Sequence, residues 1–347
     1  MERMKEVERM QKLKSITKKR EFRTFLFLIA LFVIVGLINS EFLSLSNILS
    51  SLKSSLLYIV LAVGLTFVLL TGNIDISVGG TLGLSAAVSG MILQNGGSIL
   101  LAIVISISIG GLIGLMNGLG VTVFKVSSFI MTLGMLGIAR VVQVIFTDGK
   151  WIENLPVAFK KISQIHVSGI NLLSIFVVVG LIVVHLYLTR HKKGRYFAAI
   201  GDNEEGAILL GIPVQRYVIY SFIISGICSA IAGLIFASQI GFISTTAGLG
   251  IEMTVIAAAV LGGVSLSGGV GSVIGAGIGA IIMISINSAL VYMKVPAFWN
   301  DAISGMLLIV IVVSDALLAR RANEQAKRER LRARVLHEKE VSMEYVK

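Results

Sequence analysis

The sequence predicts an all-α, polytopic membrane protein with about ten transmembrane helices, an internal pseudo-repeat and both termini on the cytoplasmic side. Three observations predict it. Of the 347 residues 55% are hydrophobic and 14% charged, with a mean hydropathy of +0.91, a composition that soluble domains of this length do not have. Apolar windows of about 20 residues, enough to cross roughly 30 Å of hydrocarbon, recur along the chain. Basic residues gather in three places that an even number of spans puts on one face.

The windows fall at 24–40, 55–72, 77–94, 98–120, 126–146, 170–189, 216–238, 251–264, 270–292 and 299–318. The eighth is short and has Gly-rich neighbours, which predicts a broken or re-entrant helix. Long strand-type alternation is absent, which argues against a β-barrel. The net charge of +11 is not spread as a nucleic-acid binder would spread it. Nine Lys or Arg lie in residues 1–23, nine more from Arg320 to Lys347, and Arg190, Lys192, Lys193, Arg195 and Arg216 lie centrally. Ten spans put all three groups on the side that the positive-inside rule makes cytoplasmic. The opposite face holds Lys53, Lys150, Lys160, Lys161 and Lys294. The chain thus divides into a basic N-terminal segment (1–23), a membrane domain (24–318) carrying a cytoplasmic loop at 190–215, and a basic tail (319–347). The polar start lacks a cleavage site after its first apolar run, so Phe25–Asn39 reads as a retained span. Cys228 is the single cysteine, which excludes a disulfide or a Cys-based metal site within one chain.

Glycines cluster inside spans, at Gly110, Gly111, Gly114 and Gly118 and again at Gly271, Gly275, Gly277 and Gly279; most are explained by close helix packing. Gly72–Gly79 and Gly262–Gly269 echo each other, each after an apolar run and before a Gly-rich one, as paired interrupted spans of a transporter do.

Enzyme signatures are missing. The four histidines (166, 185, 191 and 337) are scattered, and the one Gly-Lys pair, Gly149-Lys150, runs into Trp151, so no phosphate loop exists. Transport energy must come from another polypeptide or an ion gradient. Among ionisable residues near spans, Asp315 and Asp301 sit at span ends. Asp75 lies at a turn between the second and third spans, Glu252 follows Gly248 and Gly250 at a similar entry, and Arg140 is the deepest charge. Asp75 and Glu252 read as caps or interface residues, so no carboxylate is placed in mid-span as an ion-coupled carrier needs. Asn73, Asn117, Thr132, Gln239, Asn287 and Asn300 suit a neutral, hydroxyl-rich solute, or else helix–helix hydrogen bonds; no filter-like repeat marks an ion channel.

The loop reads GRYFAAIGDNEEGAILLGI from Gly194 to Ile212, a polar insert between two apolar runs. Its acidic start and Gly stop predict a short helix, placed to dock on something outside the bilayer.

Gly72–Gly80 (GNIDISVGG), Thr132-Leu133-Gly134 and Gly201–Ile212 resemble the membrane subunits of bacterial ABC importers for ribose and related sugars, over about residues 25–318. Gly149–Glu153, Phe236–Ile243, Gly250–Met253 and Pro296–Asp301 are most similar to the autoinducer-2 importer branch. The family's loop carries Glu-Ala-Ala-x-x-x-Gly; here Glu205, Gly206, Ala207 and Gly211 match it, with Gly206 replacing the first Ala. The resemblance implies a permease without its own ATPase, in the bacterial plasma membrane. ATP and Mg would be held by partner ATPase subunits, with no cofactor on this chain. A solute-binding protein would deliver the cargo, and a homologous second permease would complete the path. Coupling is expected of Glu205, Gly206, Ala207 and Gly211, which match the family's motif, and of Arg195, Asp202, Glu204 and Leu210 in the same loop. The expected solute path is Asn73, Asp75, Ser77, Thr132, Gln239, Phe242 and Glu252. Two alternatives stay open: a sugar cargo (ribose, xylose or rhamnose), and a gradient-driven secondary transporter.

Overall fold

The computed structural model describes residues 20–167, 170–296 and isolated positions between 299 and 313. The named elements among them include twelve α-helices, α1 (Arg20–Ile38), α2 (Leu45–Leu70), α3 (Val78–Gln94), α4 (Ile99–Thr122), α5 (Ser128–Phe146), α6 (Val157–Ile162), α7 (Leu172–Arg190), α8 (Lys192–Asp202), α9 (Glu204–Leu209), α10 (Val214–Ile240), α11 (Ile251–Leu261) and α12 (Val273–Tyr292), and a 3-10 turn at Ser40–Leu43. A two-residue antiparallel pair, β1 (His166–Val167) with β2 (Ile170–Asn171), precedes α7. Helices dominate because hydrocarbon offers no partner for backbone N–H and C=O groups, which a helix satisfies internally.

Seven of these helices are long and apolar enough to cross a membrane, namely α1, α2, α4, α5, α7, α10 and α12, while α3 and α11 are shorter apolar helices. Nine of the ten predicted windows thus coincide with a helix. The tenth lies largely outside the described residues, as do residues 1–19, the basic tail, Asn300, Asp301 and Asp315. One boundary is corrected: α2 begins at Leu45, ten residues before the predicted window. Hydropathy missed this first part because Ser50, Ser51, Lys53, Ser54 and Ser55 dilute it. The Ser44 hydroxyl starts the helix, accepting from the Asn47 N–H at 3.3 Å.

The core is built around α10, which packs against α4, α2 and α3; α12 packs against α2 and α11. Where α4 crosses α10, the Gly110 and Gly226 backbones lie directly against each other, and Gly275 and Gly279 admit the end of α11 in the same way. In a bilayer this close fit, rather than a hydrophobic drive, holds helices together. Phe222, Leu61, Leu65 and Leu69 fill the centre.

α2 and α10 are antiparallel. At one end of the bundle the last turn of α2 meets α8, with Phe67 edge-on to Phe197 at 5.0 Å. At the other, the Gln239 side-chain amide donates to the Lys53 carbonyl at 3.1 Å. The first is the elbow end of the bundle and the second its mouth end.

Candidate functional site

Two short helices start inside the bundle, and together they make its polar centre. Residues 71–77 leave the end of α2 as irregular chain and climb inward before α3 begins. Residues 241–250 descend from the mouth end before α11 begins. Irregular backbone at this depth needs protein partners, and it has them. The Ile74 N–H donates to Ser128 Oγ at 3.2 Å and the Ile76 N–H to Thr132 Oγ1 at 3.1 Å, both from the first turns of α5. The two half-helices run in opposite senses, α3 toward the mouth and α11 toward the elbow. Their first turns meet where a Cβ on Gly79 would run into the Gly248 carbonyl, and one on Gly248 into that of Gly79. No side chain fits between them.

This placement corrects two sequence expectations. Asp75 is not a cap at a surface turn; it is 1% exposed. Its Oδ1 accepts from the Ser77 N–H (2.9 Å) and hydroxyl (2.6 Å), and its Oδ2 from the Ser225 hydroxyl of α10 (2.7 Å). Asn117 of α4 donates to Ser77 Oγ at 2.9 Å. Glu252 is likewise buried, in the first turn of α11, and pairs with Arg140 of α5 at 2.7 Å. Both carboxylates therefore lie within the bundle. The echoed segments Gly72–Gly79 and Gly262–Gly269 do not share a conformation: the first climbs into the core, the second is the turn joining α11 to α12. The irregular segment that meets the start of α3 is 241–250.

Of the residues expected along the path, Asp75, Ser77, Thr132 and Glu252 are buried at this centre. Asn73 is half-buried nearer the elbow, where its side-chain N–H reaches the Thr71 carbonyl at 3.2 Å. Gln239 and Phe242 lie apart, at the mouth end.

The elbow is made of α8 and α9, which bridge α7 and α10. α9 forms where the acidic start predicted a helix. The Asn203 side chain caps it, accepting from the Gly206 N–H at 2.9 Å, with Glu204 and Glu205 in the first turn near the positive helix end. Gly211 follows at φ +74° and lets the Ile212 N–H return to the Ala207 carbonyl at 3.0 Å, ending the helix. Ala207 is buried as the foot of this helix, while Arg195, Asp202, Glu204 and Glu205 are exposed. Leu209 and Leu210 project at 88% and 79% exposure beside Ile208. The other side of the elbow seats on the bundle: Gly201 touches the Leu70 carbonyl and the 268–269 turn, and the Gly269 N–H donates to Leu70 O at 3.0 Å.

Residues 47–312, most of the chain, match the family described as branched-chain amino acid transport system, permease component. The chain belongs to that family. It is a multi-pass inner-membrane transport subunit, not an enzyme. Its curated relatives include the autoinducer 2 import system permease protein LsrC of Enterobacter sp. (strain 638), 41% identical over 306 residues that cover 88% of this chain and 89% of the relative. LsrC of Salmonella typhi is 40% identical over 88% of both chains. LsrC of Escherichia coli (strain K12 / DH10B) is 40% identical over 88% of this chain and 90% of its own length. No solved structure matches.

At the mouth end of this permease, two segments far apart in sequence come together. Ile152 and Ile243 exchange backbone hydrogen bonds, both at 2.9 Å. Trp151 stacks on Phe242 with ring centroids 5.7 Å apart and planes 12° apart. Four residues of the centre were absent from the predicted site: Asn117, which the sequence marked only as one of its span amides, and Arg140, Ser128 and Ser225. Arg140 carried a signal, since a mid-span charge needs a partner, but the partner lies 112 residues away. Ser225 and Ser128 carried none, because serines are common in these spans.

Proposed function

We infer that this permease is the membrane-spanning subunit of an ATP-binding-cassette importer that takes up autoinducer-2 delivered by a solute-binding protein. The observation that carries this reading is about 40% identity to autoinducer-2 import permeases along nearly the whole of both chains. The elbow supports it. Three consecutive exposed apolar residues on a capped helix outside the long spans are a docking knob, and the ATPase subunits are the partners it fits. Ten spans, with both termini and the elbow cytoplasmic, give the charge distribution its simplest explanation. The opposed half-helices α3 and α11 fit the inverted repeats of transporters, with the cargo path at their junction.

In this reading ATP and Mg act on the partner, whose closure shifts Arg195, Asp202, Glu204, Glu205, Gly206, Ala207, Leu210 and Gly211 as a rigid unit. A second, homologous permease closes the other side of the path. Asn73, Asp75, Ser77, Thr132 and Glu252 shape its middle, and Gln239 and Phe242 its outer mouth. The two buried carboxylates are what an ion-coupled carrier would require. However, both oxygens of Asp75 are taken up by three hydrogen bonds, and Arg140 balances the charge of Glu252, which favours the ATP-driven reading.

The test is uptake of labelled autoinducer-2 by vesicles holding the assembled complex, with and without internal ATP, and with ribose, xylose and rhamnose as competitors. ATP-dependent uptake that ignores the sugars is expected. Uptake of a sugar instead would move the cargo. Uptake that ignores ATP and collapses with an ionophore would refute the mechanism. A cysteine at Asn203 in a Cys228→Ala background should be labelled only from the cytosolic side, and labelling from outside would refute the ten-span topology.

A further inference from the structure

α7 leads into the elbow and α10 leaves it, yet the two helices stand apart. α7 packs against α2 and α12, and between it and α10 lies a cavity of about 660 Å³ whose other walls are α2, α4 and α6. Close-packed interiors hold few voids larger than a water molecule, so this is far more space than imperfect packing leaves. The wall is apolar, from Ile59 and Val63 of α2 to Phe176 of α7 and Ile231 of α10. Its one hydroxyl, on Ser238, already donates to the Ile235 carbonyl at 2.9 Å. Water needs two to four polar partners and finds none on this wall. A hydroxyl-rich solute finds none either.

The depth of the cavity is that of one leaflet. Along α10 it runs from Ser238, near the mouth end, to Cys228, and along α7 from Leu173 to Val184. Each stretch is roughly 15 Å of helix, half of the roughly 30 Å of hydrocarbon in a bilayer. Toward lipid it is open: Phe176 is 67% exposed, and a Cβ on Gly180 would meet nothing within 4 Å. A helix of that length, about 10 Å across, takes up roughly 1,200 Å³, so neither the last span of this chain nor a span of a second permease fits. At the mouth end α6 turns Phe159 and Ile162 into the cavity. Between them in sequence, Lys160 and Lys161 pair with no carboxylate among the described residues. The Lys160 stem lies over Gly241, and Lys161 is exposed.

We propose that this cavity binds one anionic phospholipid of the mouth-side leaflet, with its acyl chains between α7 and α10 and its phosphate on Lys160 and Lys161. A chain that leaves the bilayer for the cavity gains no hydrophobic free energy, because both are apolar. It gains dispersion contacts with walls that no helix reaches, and a flexible chain fills a space too narrow for a helix. The lysines then select the headgroup. Two ammonium groups attract a phosphate and repel the ammonium of a zwitterionic lipid, so net negative charge is preferred. Bound there, the lipid ties the helix that enters the elbow to the helix that leaves it. The inference holds whatever the cargo and whichever face is cytoplasmic.

The experiment uses the full chain in its native assembly, in phosphatidylcholine nanodiscs with a trace of phosphatidylglycerol that carries a photoreactive diazirine on an acyl chain. Illumination and peptide mapping are expected to place adducts on the cavity wall, above all around Gly180 and Cys228. Unlabelled phosphatidylglycerol should suppress these adducts at least roughly fivefold better than the same amount of phosphatidylethanolamine, about what one lysine contributes. Lys160→Gln combined with Lys161→Gln should erase that preference. Gly180→Trp fills the cavity and should remove the adducts there while those on the outward faces of α4 and α5 persist; Gly180→Leu serves if the bulkier variant does not assemble. Adducts spread evenly over the outward faces of the long spans, with no excess at the cavity, would overturn the proposal. So would cavity adducts that neither Gly180 variant reduces, or a competition that does not tell the two lipids apart.

Discussion

Replacing Asp75 tests whether the polar centre is held by hydrogen bonds or by charge. Asp75→Ala removes the acceptor of the Ser77 N–H, the Ser77 hydroxyl and the Ser225 hydroxyl. Ser225 can turn to a carbonyl of its own helix, as Ser221 and Ser229 already do. Ser77 Oγ keeps Asn117 as a donor, but the Ser77 N–H is left stranded. One stranded buried donor costs about 1–3 kcal/mol, and hydrogen bonds inside membrane bundles average about 0.6 kcal/mol each. The expected loss is therefore about 2–4 kcal/mol, or roughly 30- to 1,000-fold in the unfolding equilibrium. Asp75→Asn keeps the oxygen that serves Ser77 and presents an amide that can donate to Ser225, so it should cost about 1 kcal/mol or less. Reversible unfolding in mixed micelles reads both values. If Asp75→Asn is as damaging as Asp75→Ala, the negative charge and not the bonding pattern holds the centre. If Asp75→Ala stays within about 0.5 kcal/mol of wild type, the Asp75 hydrogen bonds do not hold the centre.

Other perturbations separate the elbow, its seat and the mouth. Leu209→Asp removes almost no native packing, since Leu209 is 88% exposed, so stability should hold within about 0.5 kcal/mol. Affinity for the ATPase in a binding titration should fall by about 1.5–3 kcal/mol, the value of burying one leucine. Gly201→Val drives a side chain into the Leu70 carbonyl and the Gly269 amide. It should cost about 1–3 kcal/mol by overpacking and depress ATP-driven uptake while the ATPase is still captured in pull-down. A double-mutant cycle of Trp151→Ala and Phe242→Ala should return a coupling of about 0.5–1.5 kcal/mol for the stacked pair, measured by the same unfolding assay.

What the sequence made legible was local. The elbow helix announced itself through the acidic pair Glu204 and Glu205 and the Gly211 stop, all within eight residues. Hydropathy found the spans because each carries its own apolar composition. The shape of the centre was hidden because its partners are distant. Residues 71–77 look like a surface turn until Ser128, Thr132 and Ser225, 54, 56 and 150 residues away from the groups they bind, hold them in the core. The echo between Gly72–Gly79 and Gly262–Gly269 misled for a related reason. Gly and Ser mark any place where backbones crowd, so their recurrence reports crowding and not a shared conformation. These two segments do meet, since a Cβ on Gly268 would strike the Gly72 backbone.

The geometry gives the elbow two routes to the first turn of α3. One passes through its seat: Gly201 rests on the end of α2, and residues 71–77 continue from there to Val78. The other passes through α10, which starts at Val214 just beyond the elbow and reaches Asp75 through Ser225, eleven residues and roughly 16 Å along the helix. Both routes end at the turn that touches Gly248 and lies beneath Glu252. A shift at the elbow that moved α2 and α10 equally would carry the half-helix as a passenger, leaving the junction with α11 to open or close against it. A shift that moved them unequally would load the Asp75–Ser225 bond instead. The two cases differ in what Ser225→Ala does. In the first, removing the bond leaves ATP-driven uptake close to wild type at a small cost in stability. In the second, uptake falls further than stability accounts for. Packed elements switch between discrete arrangements rather than bending continuously, so this one hydroxyl distinguishes a half-helix that is carried from one that is pulled.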